Sequence, residues 1–229
     1  SCRCRVRVHS ASVSAFSADD TMADSDLALD IICGKQITTV VGTGKVADRF
    51  SVFPLGLQKA VTRFTANGGN VLVSGANIGT DVWDGIYPIR IDSAYRATTK
   101  AFVEMTLGYK WMTNFASRHA TGVICFPQMI RHATVAAKSN GLLKLNADQI
   151  SFHKDRNPLI YNVETPDGIV PASDRAQSFM RYTDTNISAG TCYEGNGYRT
   201  VCIGFPIEVI KDRGQMGTLI DDIMKFLDK

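Results

Sequence analysis

The segment from Leu57 to Gly79 leaves this chain few ways to fold. Leu57, Ala60, Val61 and Phe64 recur at i, i+3, i+4 and i+7, the spacing that lines one face of a helix. Pro54 stands where such a helix can begin, because its missing N–H would be unpaired in a first turn anyway. Asn67-Gly68-Gly69 ends the helix, since glycine accepts the left-handed position beyond a helix C-terminus. The apolar run Val71-Leu72-Val73 follows, closed by Ser74-Gly75-Ala76-Asn77-Ile78-Gly79. Helix, double glycine, buried strand and glycine turn make half of a parallel α/β unit. With 229 residues, 45% of them hydrophobic, the chain is long enough to build a sizeable core around that unit.

Other segments are read from pattern and turn chemistry. Residues 1–25 are rich in Ser, Ala and Asp and form a separate N-terminal segment, an edge strand or a truncated start. Residues 26–229 form the main α/β domain. Residues 27–33 are an apolar run ended by Gly34, either a buried strand or a short helical turn, which periodicity does not separate. Residues 42–52 read as a loop and 80–100 as an irregular insertion. Residues 101–107 read as helical, 110–117 and 121–126 as strands, and 128–165 as several short β pieces. Asp167-Gly168-Ile169-Val170-Pro171 reads as a turn. Residues 187–193 and 198–205 flank Glu194-Gly195-Asn196-Gly197 as a hairpin. Met216, Leu219, Ile220, Ile223, Met224 and Leu227 mark one face of a final helix, packed on a sheet.

Composition excludes several functions. Twenty-five basic side chains against 22 acidic ones, a net charge of +3, give no case for nucleic acid or an anionic membrane. Arg3, Arg5, Arg7 and His9 alternate with valines at a chain end, where a frayed strand is the simpler reading than an anion-binding arm. No run approaches the roughly 18 apolar residues of a membrane span, and no signal-peptide core is present. Cys2-x-Cys4 is too tight for a zinc pair, and His9, His119, His132 and His153 lack ligand spacing, so no metal is expected. Gly42-Thr43-Gly44-Lys45 fails as a phosphate loop, because Thr39 and Val46 occupy the outer glycine and magnesium-hydroxyl positions. No cofactor is expected. Cys192 and Cys202 flank the hairpin, either as a disulfide or as two reduced, half-buried thiols.

The turn Gly75-Ala76-Asn77-Ile78-Gly79 has the outline of a nucleophile elbow, G-x-S-x-G, in which a strained residue projects its side chain beside backbone N–H groups. Asn77 is no nucleophile. Ser74, three residues earlier, serves only if the turn is built differently. The plainer reading is that Gly75 and Gly79 allow a tight turn and close packing.

Val201-Cys202-Ile203-Gly204-Phe205-Pro206-Ile207-Glu208-Val209 resembles the late strand of class I glutamine amidotransferases. That resemblance implies a three-layer, flavodoxin-like α/β fold with a mostly parallel sheet and β insertions. The family carries a cysteine in its elbow and a late His-x-Glu that completes a triad. Asn77 falls on the nucleophile and Pro206 on the histidine, leaving Glu208 alone. The acid of a triad orients an imidazole and does nothing without it, so glutaminase activity is not expected. Further stretches, among them GGNVLVSGANIGTD, PDGIVPA and YRTVCIGFPIEVI, are similar to an amidotransferase-like domain of secreted Bacteroidetes proteins labelled xanthan lyase-like or amidase-like. This implies a secreted, periplasmic or cell-surface setting, neighbouring domains of a larger protein as partners, and a glycan or peptidoglycan fragment as ligand.

The expected function is therefore noncatalytic binding or scaffolding. Asn77, Asp81, Trp83 and Glu208 are the residues expected to line a pocket, through hydrogen bonds from the amide and carboxyls and stacking on the indole. The alternative is a hydrolase or polysaccharide lyase, with Ser74 or Cys125 as nucleophile, His119 or His132 as base, and Glu208 or Asp81 as orienter.

Overall fold

The computed structural model describes residues 8–19, 28–43, 48–83, 93–117, 132–137, 141–146, 149–153 and 158–228. Within them the chain runs α1 (Val13–Asp19), β1 (Ala28–Gly34), β2 (Thr39–Val41), β3 (Asp48–Phe50), α2 (Leu55–Ala66), β4 (Asn70–Gly75) and α3 (Thr80–Trp83). Next come α4 (Ser93–Phe102), a π-helical segment (Val103–Leu107), β5 (Tyr109–Thr113), β6 (His132–Ala137), β7 (Gln149–His153) and β8 (Gly168–Pro171). β9 (Ala176–Tyr182), β10 (Ser188–Glu194), β11 (Arg199–Ile203), a 3-10 turn (Ile207–Val209) and α5 (Arg213–Leu227) complete it.

The strand that the sequence marks most clearly, β4, lies between β1 and β11 in a seven-stranded sheet of order β1-β4-β11-β10-β9-β6-β7. Both pairings of β4 are parallel. β11–β10, β10–β9, β9–β6 and β6–β7 are antiparallel. Two smaller sheets pair β2 with β3 and β5 with β8.

Alternation along β4 and β11 sorts side chains to the two faces, as the pleat requires. Val71, Val73 and Cys202 enter one core, with Phe53, Leu57, Val61 and Phe64 from the α2 side. Leu72, Val201 and Ile203 enter the other, with Leu219, Ile223 and Phe226 of α5. α2 begins after Pro54 and ends at Asn67, followed by Gly68 at φ 86°. Its apolar stripe faces the sheet. α1 adds Phe16 to the same core.

This architecture corrects the expected fold. A flavodoxin-like, mostly parallel three-layer sheet is not what forms: the sheet is mixed and curled, with slightly more strand than helix. The physical reason lies in the connections. Parallel neighbours need long crossovers, whereas β9–β10 and β10–β11 close through short turns and so must run antiparallel. Asn186 takes the left-handed conformation, φ 57°, in the first of these turns. The β pieces expected as insertions instead extend the main sheet as β6 and β7.

Smaller expectations also change. Residues 27–33 resolve to a strand. The irregular stretch after residue 80 contains α3 and α4. The turn read over Asp167–Pro171 is the strand β8, paired with β5. Cys192 and Cys202 are free thiols. They lie one register step apart, since Cys202 faces Thr191 and Cys192 faces Val201, so they enter opposite cores. The strand read over 121–126, Cys2, Cys4, His119 and Cys125 lie outside the described residues. No described helix is long and apolar enough to cross a membrane.

Candidate functional site

The turn after β4 does not have the backbone of a nucleophile elbow. Asn77 is not in the left-handed region; among the described non-glycine residues only Asn186 is. Gly75 and Gly79 are not left-handed either. They are glycines because of close approach. A Cβ at Gly75 would stand 2.7 Å from Cys33 Cβ, and one at Gly79 would stand 2.6 Å from the Trp111 ring. The turn is thus pressed against β1 on one side and β5 on the other.

Its polar groups are taken up by the chain itself. The Ala76 N–H donates to Gly34 O at 2.8 Å. Asn77 Nδ2 donates to Lys35 O at 3.2 Å. Ile78 O accepts the Tyr109 hydroxyl at 2.9 Å. The Gly79 and Thr80 amides both donate to Asp167 Oδ2, at 2.6 and 2.9 Å. The Thr80 hydroxyl donates to Asp167 Oδ1, and Thr80 Oγ1 accepts from Trp111 Nε1 at 3.0 Å. Asp81 accepts the Thr38 amide at 2.5 Å, the Thr38 hydroxyl at 2.9 Å and the Val52 amide at 3.2 Å. It ties the segments around β2 and β3 to the turn.

Asp167 was not singled out from sequence. Its signal is slight: an aspartate directly before an apolar run, in a dipeptide that also marks turns. It is 0% exposed. Burial pushes its carboxyl up to about 7, against the opposing pull of the Thr80 hydroxyl, the Thr80 and Gly79 amides and Trp111.

The expected pocket residues divide between places. Asn77 and Glu208 converge on the end of β1. Glu208, in the 3-10 turn that Pro206 introduces, accepts the Tyr161 hydroxyl, and its Oε1 is 3.8 Å from the Cβ position at Gly34. Beside them Lys35 pairs with Glu164 at 2.6 Å. Asp30 on β1 is exposed as a residue, yet partial burial and then the charge of Glu208 push its carboxyl up to about 6. The same surroundings, burial first, push the buried Cys33 thiol up to about 12, far from a thiolate at neutral pH. Trp83 lies elsewhere, tilted against Tyr109 with ring centroids 6.5 Å apart and under Lys100 Nζ at 5.7 Å. Asp81 reaches a small pocket with Phe53, Val82, Tyr95, Arg96 and Thr99, about 10 Å³, room for about one water.

Ser74 is 1% exposed, and its Oγ has no hydrogen-bond partner among the described residues. His132 and His153 face each other on β6 and β7. β6 is four strands from β4, roughly 19 Å at the usual strand spacing, so His132 does not serve Ser74 as a base. No group of three or more His, Cys, Asp or Glu among the described residues is arranged to hold a metal ion.

No family model matches the chain, and no curated protein matches it. Solved structures similar to it include the cold-adapted β-galactosidase from Rahnella sp. R3, at 12% identity and TM-score 0.44, covering 75% of this chain and 20% of that one. Another is the β-galactosidase from Bacillus circulans sp. alkalophilus, at 10% identity and TM-score 0.44, covering 86% and 22%. The chain spans about a fifth of the length of these proteins. The resemblance to class I glutamine amidotransferases is not upheld: the similar chains are β-galactosidases, the sheet is mixed, and the turn lacks an elbow's strained residue.

Proposed function

We propose that this chain is a noncatalytic scaffolding unit, in which the turn after β4 serves the fold rather than a substrate. The observation that carries this reading is the Asp167 carboxyl on the Gly79 and Thr80 amides. An elbow works by keeping such amides open for a developing oxyanion; here a side chain of the same molecule fills them. Asp81 and Asn77 are likewise committed to internal partners, and Ser74 lacks a base among the described residues. Support for a bracing role comes from the paired strands β2 and β3. Val40, Val41 and Phe50 there are exposed apolar residues, Val41 at 61%, which suits contact with a neighbouring domain.

The test is a turnover screen of the purified chain against glutamine, activated esters, galactosides and acidic polysaccharides. The reading expects rates that match buffer and stay unchanged in Ser74→Ala and Cys125→Ala. A rate above buffer that either substitution abolishes would overturn it.

A further inference from the structure

Asp167 is wholly buried, and its carboxyl oxygens meet only dipolar donors: two amides and one hydroxyl. No Lys, Arg or His among the described residues pairs with it. The titratable groups around it are Asp81 on α3, Tyr109 on β5 and Tyr182 on β9, with Asp184 near Tyr182, and Cys33 and Cys202 near Tyr109. None of these becomes positive at any pH. A buried carboxylate without a counter-ion is costly to keep ionised.

The main chain of the same residue is fixed on two sides. Its N–H donates to Gly204 O at 2.8 Å, and its carbonyl accepts the Tyr182 hydroxyl at 2.8 Å. A Cβ at Gly204 would stand 2.1 Å from Asp167 O, so β8 enters flush against the end of β11. The mount is rigid, and the part able to yield is the 76–81 turn.

We propose that Asp167 is a proton-operated latch: as the neutral acid it closes the 76–81 turn onto the start of β8, and its ionisation weakens that closure. The sign follows from linkage. Burial holds the folded carboxyl near 7, above its ordinary 3.8. The latch therefore contributes fully below about pH 4, loses its contribution as pH rises through about 7, and is constant beyond.

The experiment is a carbon-detected NMR titration of the full chain with labelled aspartate carboxyls. The Asp167 resonance is expected to move with a midpoint near pH 7, together with the Gly79 and Thr80 amides. A second arm compares chemical denaturation of an Asp30→Asn background with and without Asp167→Asn, from pH 4 to 8. Asp30 is removed because its raised carboxyl gives the same sign. Asparagine keeps the donor and acceptor of the neutral acid, so its midpoint is expected to stay flat while the Asp167 protein loses midpoint with rising pH. An Asp167 midpoint below 4, or parallel profiles, would overturn the proposal. If Asp167→Asn does not fold, the titration of the unaltered chain decides alone. Neither arm depends on the turnover screen, so the latch and the noncatalytic reading fail separately.

Discussion

Two polar clusters meet at the end of β1, and they differ in what their side chains face. In the 76–81 turn the acceptors meet donors from the same chain, and Asp81 and Asp167 are buried. At the rim formed by Asp30, Tyr161 and Glu208, a carboxyl lies within electrostatic reach of another carboxyl, and solvent reaches both. The residue types are nearly the same. The closed cluster is worth stability because breaking it strands buried donors. The open one is worth little, because solvent re-solvates whatever is released. Polar residues gathered at a strand end therefore do not by themselves make a site; where their hydrogen bonds go decides that.

Substitutions sharpen this contrast. Gly204→Ala would drive a methyl into the Asp167 main chain. It is expected to cost about 3 kcal/mol or more, at the upper end of overpacking effects, or to prevent folding, as read by urea denaturation. Asp167→Ala strands two buried amides and the Thr80 hydroxyl. At about 1 kcal/mol or more per orphaned group, a loss of about 3 kcal/mol is expected by the same method. Asp81→Ala frees Thr38 and Val52 at the edge of the small β2–β3 sheet, where water enters more readily. A loss of about 2 kcal/mol is expected, with faster amide exchange at those two residues. Glu208→Gln should change stability by less than about 0.5 kcal/mol. It should move the Asp30 carboxyl down toward its ordinary range, seen by NMR, because a repelling charge is gone. A large loss in Glu208→Gln, or a negligible one in Asp167→Ala, would reverse the contrast.

Much of the frame was legible in the sequence. α2, β4, the β10–β11 hairpin and α5 are local patterns: an apolar period, a glycine stop, a Gly-Asn-Gly tip. What was not legible is non-local. Asp167-Gly168 and Pro171 carry turn chemistry, but β8 is made by its pairing with β5. Gly75 and Gly79 stood out, yet the reason for them is the approach of Cys33 and Trp111, which spacing cannot reveal. Asn77 and Glu208 do approach the same bend, whereas Trp83 and Asp81 turn to other partners. The parallel start of the sheet was inferred correctly for β4. The antiparallel continuation depends on which edge the later hairpins join, and no single segment encodes that. Secretion and a glycan ligand drew on the amidotransferase resemblance alone.

The most direct test of the account is native-state hydrogen exchange at the Gly79 and Thr80 amides. If Asp167 closes the turn as described, both amides exchange only through global unfolding, with protection that matches the chain's unfolding free energy. If they exchange through a local opening while β4 and β11 stay protected, the turn is an open site and the structural assignment is wrong.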